Sequence, residues 1–294
     1  MPQLLQSRDL EIYIDQPDEG YNFSRFDWTG KIAMVKFRDI PVSTSERTDS
    51  TDSSHFGKGL YNEFGIDAAL GFQETNKGEW FHKIGVGALR KQTSDYRFDY
   101  PYEIRPAEFT VDAQNERITI GCSSEMLNGY GYELEKEFQV HDNDLTIKYE
   151  LKNTGAKDIV TEEYVHNFLG ISGQKIDEAY ILKLPFEIKP DAFREAVNTE
   201  KKVVLGKKEI GFTGSPQEQF FFSHLNGDQT VRASWELEHV KRNIGIRETV
   251  SFKSKKINLW GWKHVISPEI FHHIYLEPGN STQWSRTYEF YQLE

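Results

Sequence analysis

One histidine stands out for chemistry: His166 in the stretch EEYVHNFLGI, preceded by Glu162 and Glu163 and set among Tyr164, Val165, Phe168 and Leu169. Apolar neighbours withdraw water and pull an imidazole pKa down, while nearby carboxylates push it up. An imidazole left near neutrality by that balance can donate or accept a proton in a cleft. A core histidine bonded to the backbone has the same surroundings, so residue types alone leave both readings open. His272 and His273 are neighbours on a strand-like run, so they face opposite sides and cannot easily share a metal. His264, close to Trp260 and Trp262, is a further candidate for a site wall. No histidine or acidic spacing matches a zinc finger or a metalloprotease, and no metal is expected. The single cysteine, Cys122, ends the run RITIGCS, where a small buried hydrophobe fits and no base stands beside it to activate a thiolate.

The elements that must position these groups are strands. KIAMVKFRD (31–39), EFTVDAQ (108–114), RITIGCS (117–123), LTIKYELKNTG (145–155), RASWELEHV (232–240) and FHHIYLEPG (271–279) alternate polar and apolar residues. That period, rich in Val, Ile, Thr, Tyr and Phe, marks half-buried strands. In the fourth run Leu145, Ile147, Tyr149 and Leu151 point one way and Thr146, Lys148, Glu150 and Lys152 the other. Turn residues fall between the runs: DAQNER and HDND close hairpins, and EPGNSTQ turns the chain before the last strand, WSRTYEFYQ. Consecutive hairpins predict an all-β fold, a large antiparallel β-sandwich. The one helical signal is short, DAFREAVN around 191–198. Residues 42–59, rich in Ser, Thr and Asp, read as a long loop, either a site wall or a disordered insertion. Without internal repeats or a linker, residues 1–294 are expected to form a single domain.

Composition narrows the function classes. A formal net charge of −11 and the absence of a long basic run argue against nucleic-acid binding. No apolar stretch approaches a membrane span, and the first fifteen or so residues lack the layout of a signal peptide, so a cytoplasmic protein is expected. One cysteine excludes an intramolecular disulfide. The aromatic share of 14% is high, which suits both a sheet core and faces on which sugar rings stack.

Several segments, in order, resemble the galactose mutarotases, the aldose 1-epimerases. Asn153 ends one strand, a short turn follows, and VHNFLG (165–170) stands in the place of the family's catalytic-histidine segment. FHKIGVGALRK (81–91) occupies the place of the family's Leu-His-Gly-Gly segment, and LEPGNSTQWSRTYEFY that of its closing turn and last strand. The chain departs from the pattern at Val165, Asn167 and Phe168 around the histidine, and at Lys83 and Ile84 in place of two glycines. It is therefore similar to a divergent member. The resemblance implies the mutarotase-like supersandwich, with His166 as acid and, as base, a glutamate shortly before the closing turn. Glu269 in VISPEIF and Glu277 in YLEPG compete for that place. Position in the resemblance favours Glu269, with Pro268 fixing the backbone before it. The same resemblance implies His82 and Asn167 as ligands of sugar oxygens. Arg90, Arg25 and Trp262 are further candidates for substrate contact.

In such a site the glutamate takes the anomeric proton while the histidine protonates the ring oxygen, and the roles reverse on closure. The implied activity is interconversion of the anomers of an aldose or an aldose derivative, with a small carbohydrate as partner and neither metal nor organic cofactor. A non-catalytic sugar-binding protein on the same scaffold is the alternative, because fold does not fix function. The expected geometry is one cleft faced by His166 and Glu269 with room for a sugar ring between them. Neither the sugar nor the oligomeric state can be read from the sequence.

Overall fold

A computed structural model of the chain describes residues 2–49, 54–114 and 116–294. Two large antiparallel sheets dominate. One has ten strands, running in order from Val203–Leu205 through Glu209–Phe212, Tyr180–Lys183, Val231–His239, Ile244–Ser254, Ser281–Gln292, Asp144–Asn153, Tyr132–His141 and Arg117–Ser123 to Glu108–Gln114. The other has seven, with Leu60–Phe64, Ile159–Asn167 and His272–Leu276 adjacent at one end. A four-stranded sheet (Ala196–Val197, Phe220–Phe222, Ile257–Trp262, Val265–Ile270) and a three-stranded one (Trp80–Lys83, Gly87–Arg90, Ile104–Pro106) complete the fold.

The alternation read from the sequence produces this layering directly. Leu145, Ile147, Tyr149 and Leu151 are all buried, and they share one core with Leu10, Ile12, Ile32 and Val35 of the seven-stranded sheet. Burying each such side chain contributes about 1.5–3 kcal/mol, so a strand whose apolar set faces inward resists a one-residue slip of register. The hairpins fall where the turn residues placed them, Glu108–Gln114 pairing with Arg117–Ser123 and Tyr132–His141 with Asp144–Asn153. Cys122 is buried, and that burial pushes its thiol up to about 12.

One expected element is different. In place of a helix over 191–198 the chain makes a single 3-10 turn, Pro190–Ala192, followed by a short strand, Ala196–Val197. Eight residues are too few to repay helix nucleation, and pairing Ala196 and Val197 with Phe222 and Phe221 offers the backbone ladder bonds instead. Of the long loop over 42–59, residues 50–53 lie outside the described residues. Its flanks run beside each other: Ser45 bridges Lys58, and Ser43 bridges Leu169 just beyond the His166 strand. Gly59 ends it with φ +61, and a Cβ there would stand 2.0 Å from the Ile32 carbonyl oxygen, so only glycine fits.

Candidate functional site

The Ile159–Asn167 strand begins half-buried and ends with five consecutive buried residues, Glu163 to Asn167. A strand covered on both faces reads as a continuous run rather than an alternation, and here the covering layer is the Val265–Ile270 strand of the four-stranded sheet, itself buried throughout. His166 therefore projects from one sheet and Glu269 from another. Their side chains meet: His166 Nε2 lies 3.4 Å from Glu269 Oε1, and each is only about one-twentieth exposed. Ser267, two residues before on the same strand, donates its hydroxyl to Glu269 Oε1 at 3.2 Å.

Aromatic rings enclose the imidazole. Phe168 lies flat against it, and Trp260 and Phe26 meet it edge-on at 5.1 and 6.1 Å between centroids. The end of the 42–59 loop holds this packing tight, since a Cβ on Gly57 would come within 2.3 Å of the Phe168 ring. Burial drives the His166 pKa well below its usual 6.5, with the Arg25 charge adding to the effect. Burial also pushes Glu269 up to about 8, against opposing pulls from Arg25 and the Ser267 hydroxyl. Near neutrality the pair thus holds one proton, on the carboxyl, beside a neutral imidazole.

Both groups open onto a cavity of about 990 Å3, whose wall includes Arg25, Glu46, Tyr164, Trp260 and Phe271. Arg25 is clamped: Nε bonds Glu63 Oε2 at 3.0 Å, Nη2 bonds the Tyr164 hydroxyl at 3.2 Å, and the guanidinium sits over the rings of Phe26 and Phe98. Glu63 is fully buried and also receives the Tyr164 hydroxyl at 2.7 Å and the Lys83 ammonium at 3.1 Å. Further along the cavity, Lys256 pairs with Glu162 and Asp67, His273 with Glu162, and Arg194 with Asp228. Lys256, Arg194 and Arg25 are each matched by a carboxylate, so the cavity is polar without a net positive field.

Of the residues singled out in the sequence, the cavity brings together His166 and Glu269, with Arg25 and Trp260 beside them. His273 also lies on the cavity wall, beside Glu162, and the remaining candidates lie elsewhere. His82 is buried at the three-stranded sheet with Nε2 3.3 Å from the Tyr130 carbonyl oxygen, and burial lowers its pKa to about 4. Arg90 is exposed and paired with Glu103. Trp262 gives its indole N–H to the Gln217 carbonyl and carries the Arg47 and Lys263 charges on its ring. Asn167 is fully buried, with both ends of its amide engaged by Pro268 and Tyr288. Glu277 faces solvent in the closing turn, where it accepts from Asn280 at 3.3 Å. His264 bonds the Ser45 carbonyl at 2.9 Å, and His272 stacks on Phe252. Tyr164 and Phe271 were not anticipated, whereas Glu46 belongs to the 42–59 loop, for which a site wall is one of the two readings. Tyr164 had a signal, an aromatic with a polar tip two residues before the histidine and therefore on the same face.

No family model matches the sequence, and no curated protein is similar to it. Solved structures nevertheless match over nearly the whole length. The Slr1438 protein of Synechocystis superposes with a TM-score of 0.62 at 14% identity, covering 100% of this chain and 96% of its own. A galactose mutarotase-like protein of Lactobacillus casei gives 0.62 at 10% identity over 99% and 100%. A galactose mutarotase related enzyme of Lactobacillus acidophilus gives 0.59 at 10% identity over all of both chains. The chain has the galactose mutarotase-like fold, an antiparallel β-sandwich as the strand pattern predicts and of the kind that the segment resemblance implies. Among the described residues no helix is long and apolar enough to cross a membrane.

Proposed function

We propose that the cavity binds a reducing sugar and that His166 and Glu269 interconvert its anomers by moving one proton. The observation that carries this reading is the 3.4 Å approach of His166 Nε2 to Glu269 Oε1 at the wall of a cavity large enough for a pyranose ring. Ring opening takes a proton from the anomeric hydroxyl and gives one to the ring oxygen, and both oxygens hang on the same carbon. Two groups in contact can address both, provided one is protonated and the other is not. The buried pair meets that condition, because its environments push the two pKa values apart. The resemblance makes Glu269 the base and His166 the acid. The free-state proton on Glu269 then crosses to His166 over the short gap before ring opening, or the two roles run in the opposite order; either path conserves protons. Arg25 and Trp260 supply a cation and an aromatic face at the same wall.

The fold likeness supports a carbohydrate ligand and leaves chemistry to the site. The test is the rate of anomer interconversion, followed by polarimetry or NMR across a panel of aldoses, with His166→Ala and Glu269→Gln as controls. Acceleration that both substitutions abolish supports the reading. Sugar binding with no acceleration makes the protein a carbohydrate-binding module, and neither binding nor acceleration removes the sugar altogether.

A further inference from the structure

Glu269 belongs to the outer strand of the four-stranded sheet, and the strand bearing His166 belongs to a different sheet. An isolated bridge between Leu169 and Ile266 joins the two regions. The spacing of the pair is therefore not set by a ladder between their own strands. The two carbonyls flanking Glu269 are taken up by side chains instead. Asn167 Nδ2 donates to the Pro268 oxygen at 2.6 Å, and Arg286 Nη2 donates to the Ile270 oxygen at 2.9 Å.

Both braces are anchored on the histidine side. Asn167 is the next residue after His166. Because the Pro268 carbonyl can only accept, the amide N–H of Asn167 must face it, and the amide oxygen is left to receive the Tyr288 hydroxyl at 3.0 Å. Arg286 holds both oxygens of Glu163, three residues before His166, at 3.1 and 2.8 Å. Its Nη1 is fixed by Glu248 at 2.7 Å. Arg286, Glu163, Glu248 and Asn167 are all fully buried, so these bonds are not diluted by water.

We infer that Asn167 and Arg286 are positioning residues that hold the Glu269 backbone, and through it the carboxyl, against His166. The consequence for turnover rests on the epimerase reading; the consequence for the pair rests on geometry alone. Asn167, with both amide ends occupied and no exposed surface, acts through Glu269 and not on a sugar.

The experiment is NMR of histidine-labelled protein without any sugar, reading the His166 ring-nitrogen shifts, with that signal assigned by its loss in His166→Asn. Glu269→Gln sets the displacement expected when the carboxyl is changed. Asn167→Ala and Tyr288→Phe are expected to move the same signal while leaving those of His82, His239 and His272 in place. Tyr288→Phe removes one hydroxyl only and keeps the test open if Asn167→Ala does not fold. A His166 signal that stays put in the folded variants, or moves only in step with the other histidines, overturns the inference. Where the aldose assay is positive, kcat should fall about 10–100-fold in Asn167→Ala with KM little changed, the scale expected of an ångström's misplacement. A moved His166 signal in a protein that turns over no aldose upholds the positioning role and rejects the epimerase reading.

Discussion

The ring of Phe168 lies on the imidazole of His166, 4.0 Å between centroids and 6° from parallel. A flat apolar lid removes water from one whole face of the imidazole, which makes Phe168 a main agent of the desolvation that lowers the His166 pKa. Phe168→Ala should therefore do two separate things. It should cost about 3–5 kcal/mol of stability through the cavity it leaves, read from urea melts. It should also bring the His166 midpoint upward toward 6.5, read by NMR titration. A melt that shifts while the His166 titration does not would assign the desolvation to Trp260 and Phe26 instead.

Stability should depend on pH with two opposite contributions from the pair. Glu269 has its folded pKa raised from 4.5 to about 8, so the folded state holds this proton more tightly than the unfolded one. Its contribution is fully present below about pH 4.5 and is lost as pH rises through about 8. His166 has its folded pKa depressed below 6.5, so its contribution is present above 6.5 and is lost as pH falls. Denaturant midpoints of the unsubstituted protein should thus decline from pH 6 to 9 relative to those of Glu269→Gln, which carries no ionisable group there. Parallel curves for the two proteins would contradict the raised pKa.

The two glutamates near the C-terminus should separate sharply in an activity assay. Glu277→Gln changes a solvent-facing turn residue that accepts from Asn280 at 3.3 Å, and should leave the proposed mutarotation and the stability unaltered. Glu269→Gln should lower kcat about 10²–10⁴-fold, the usual weight of a positioned acid or base. Equal losses, or a larger loss at Glu277, would move the site to the closing turn.

Much of this architecture could be read in advance, and the reason is the period of two. Strands with one wet face write their parity into the sequence, as Leu145 to Leu151 do, and hairpin turns write their own residues. What the pattern cannot encode is which sheets lie against each other away from the ladder. His166 and Glu269 meet across two sheets, so their contact was reachable only through the resemblance, and that route expected a gap for the sugar where the free protein has direct contact. The remaining proposed ligands show the same limit: His82, Arg90 and Trp262 sit on strands whose order in the chain says nothing of their distance from the cavity. The buried ionic network did leave a mark. Lys136 shares parity with Tyr132, Leu134 and Phe138, Arg286 with Trp284, Tyr288 and Phe290, and Glu248 with Ile244 and Ile246. A charge on the core face of a strand must find a buried partner, so these three positions announced one without naming it.

Lys136 gives that network a direct test. Its ammonium is buried between the carboxylate of Asp27 and Asn62 Oδ1, the latter at 2.6 Å. Asp27 in turn accepts the Thr29 amide at 2.6 Å, and Asn62 donates to Glu163 at 2.6 Å, so the pair ties the N-terminal region to the strand that carries His166. Lys136→Met keeps the length of the side chain and deletes the charge. It should cost about 3–5 kcal/mol, because it strands a buried carboxylate rather than because the pair itself is strongly favourable. Burial already pushes the Asp27 pKa up, and Lys136 is the main force holding it down. In the single variant the carboxyl should therefore take up a proton as pH falls, and the deficit should shrink between neutral and acidic pH. Adding Asp27→Asn should recover most of the loss at neutral pH, since a neutral amide no longer needs the ammonium. Urea melts of the four proteins of this cycle measure the coupling. A double variant no more stable than Lys136→Met alone would mean that packing of the lysine stem, and not the stranded charge, sets the cost.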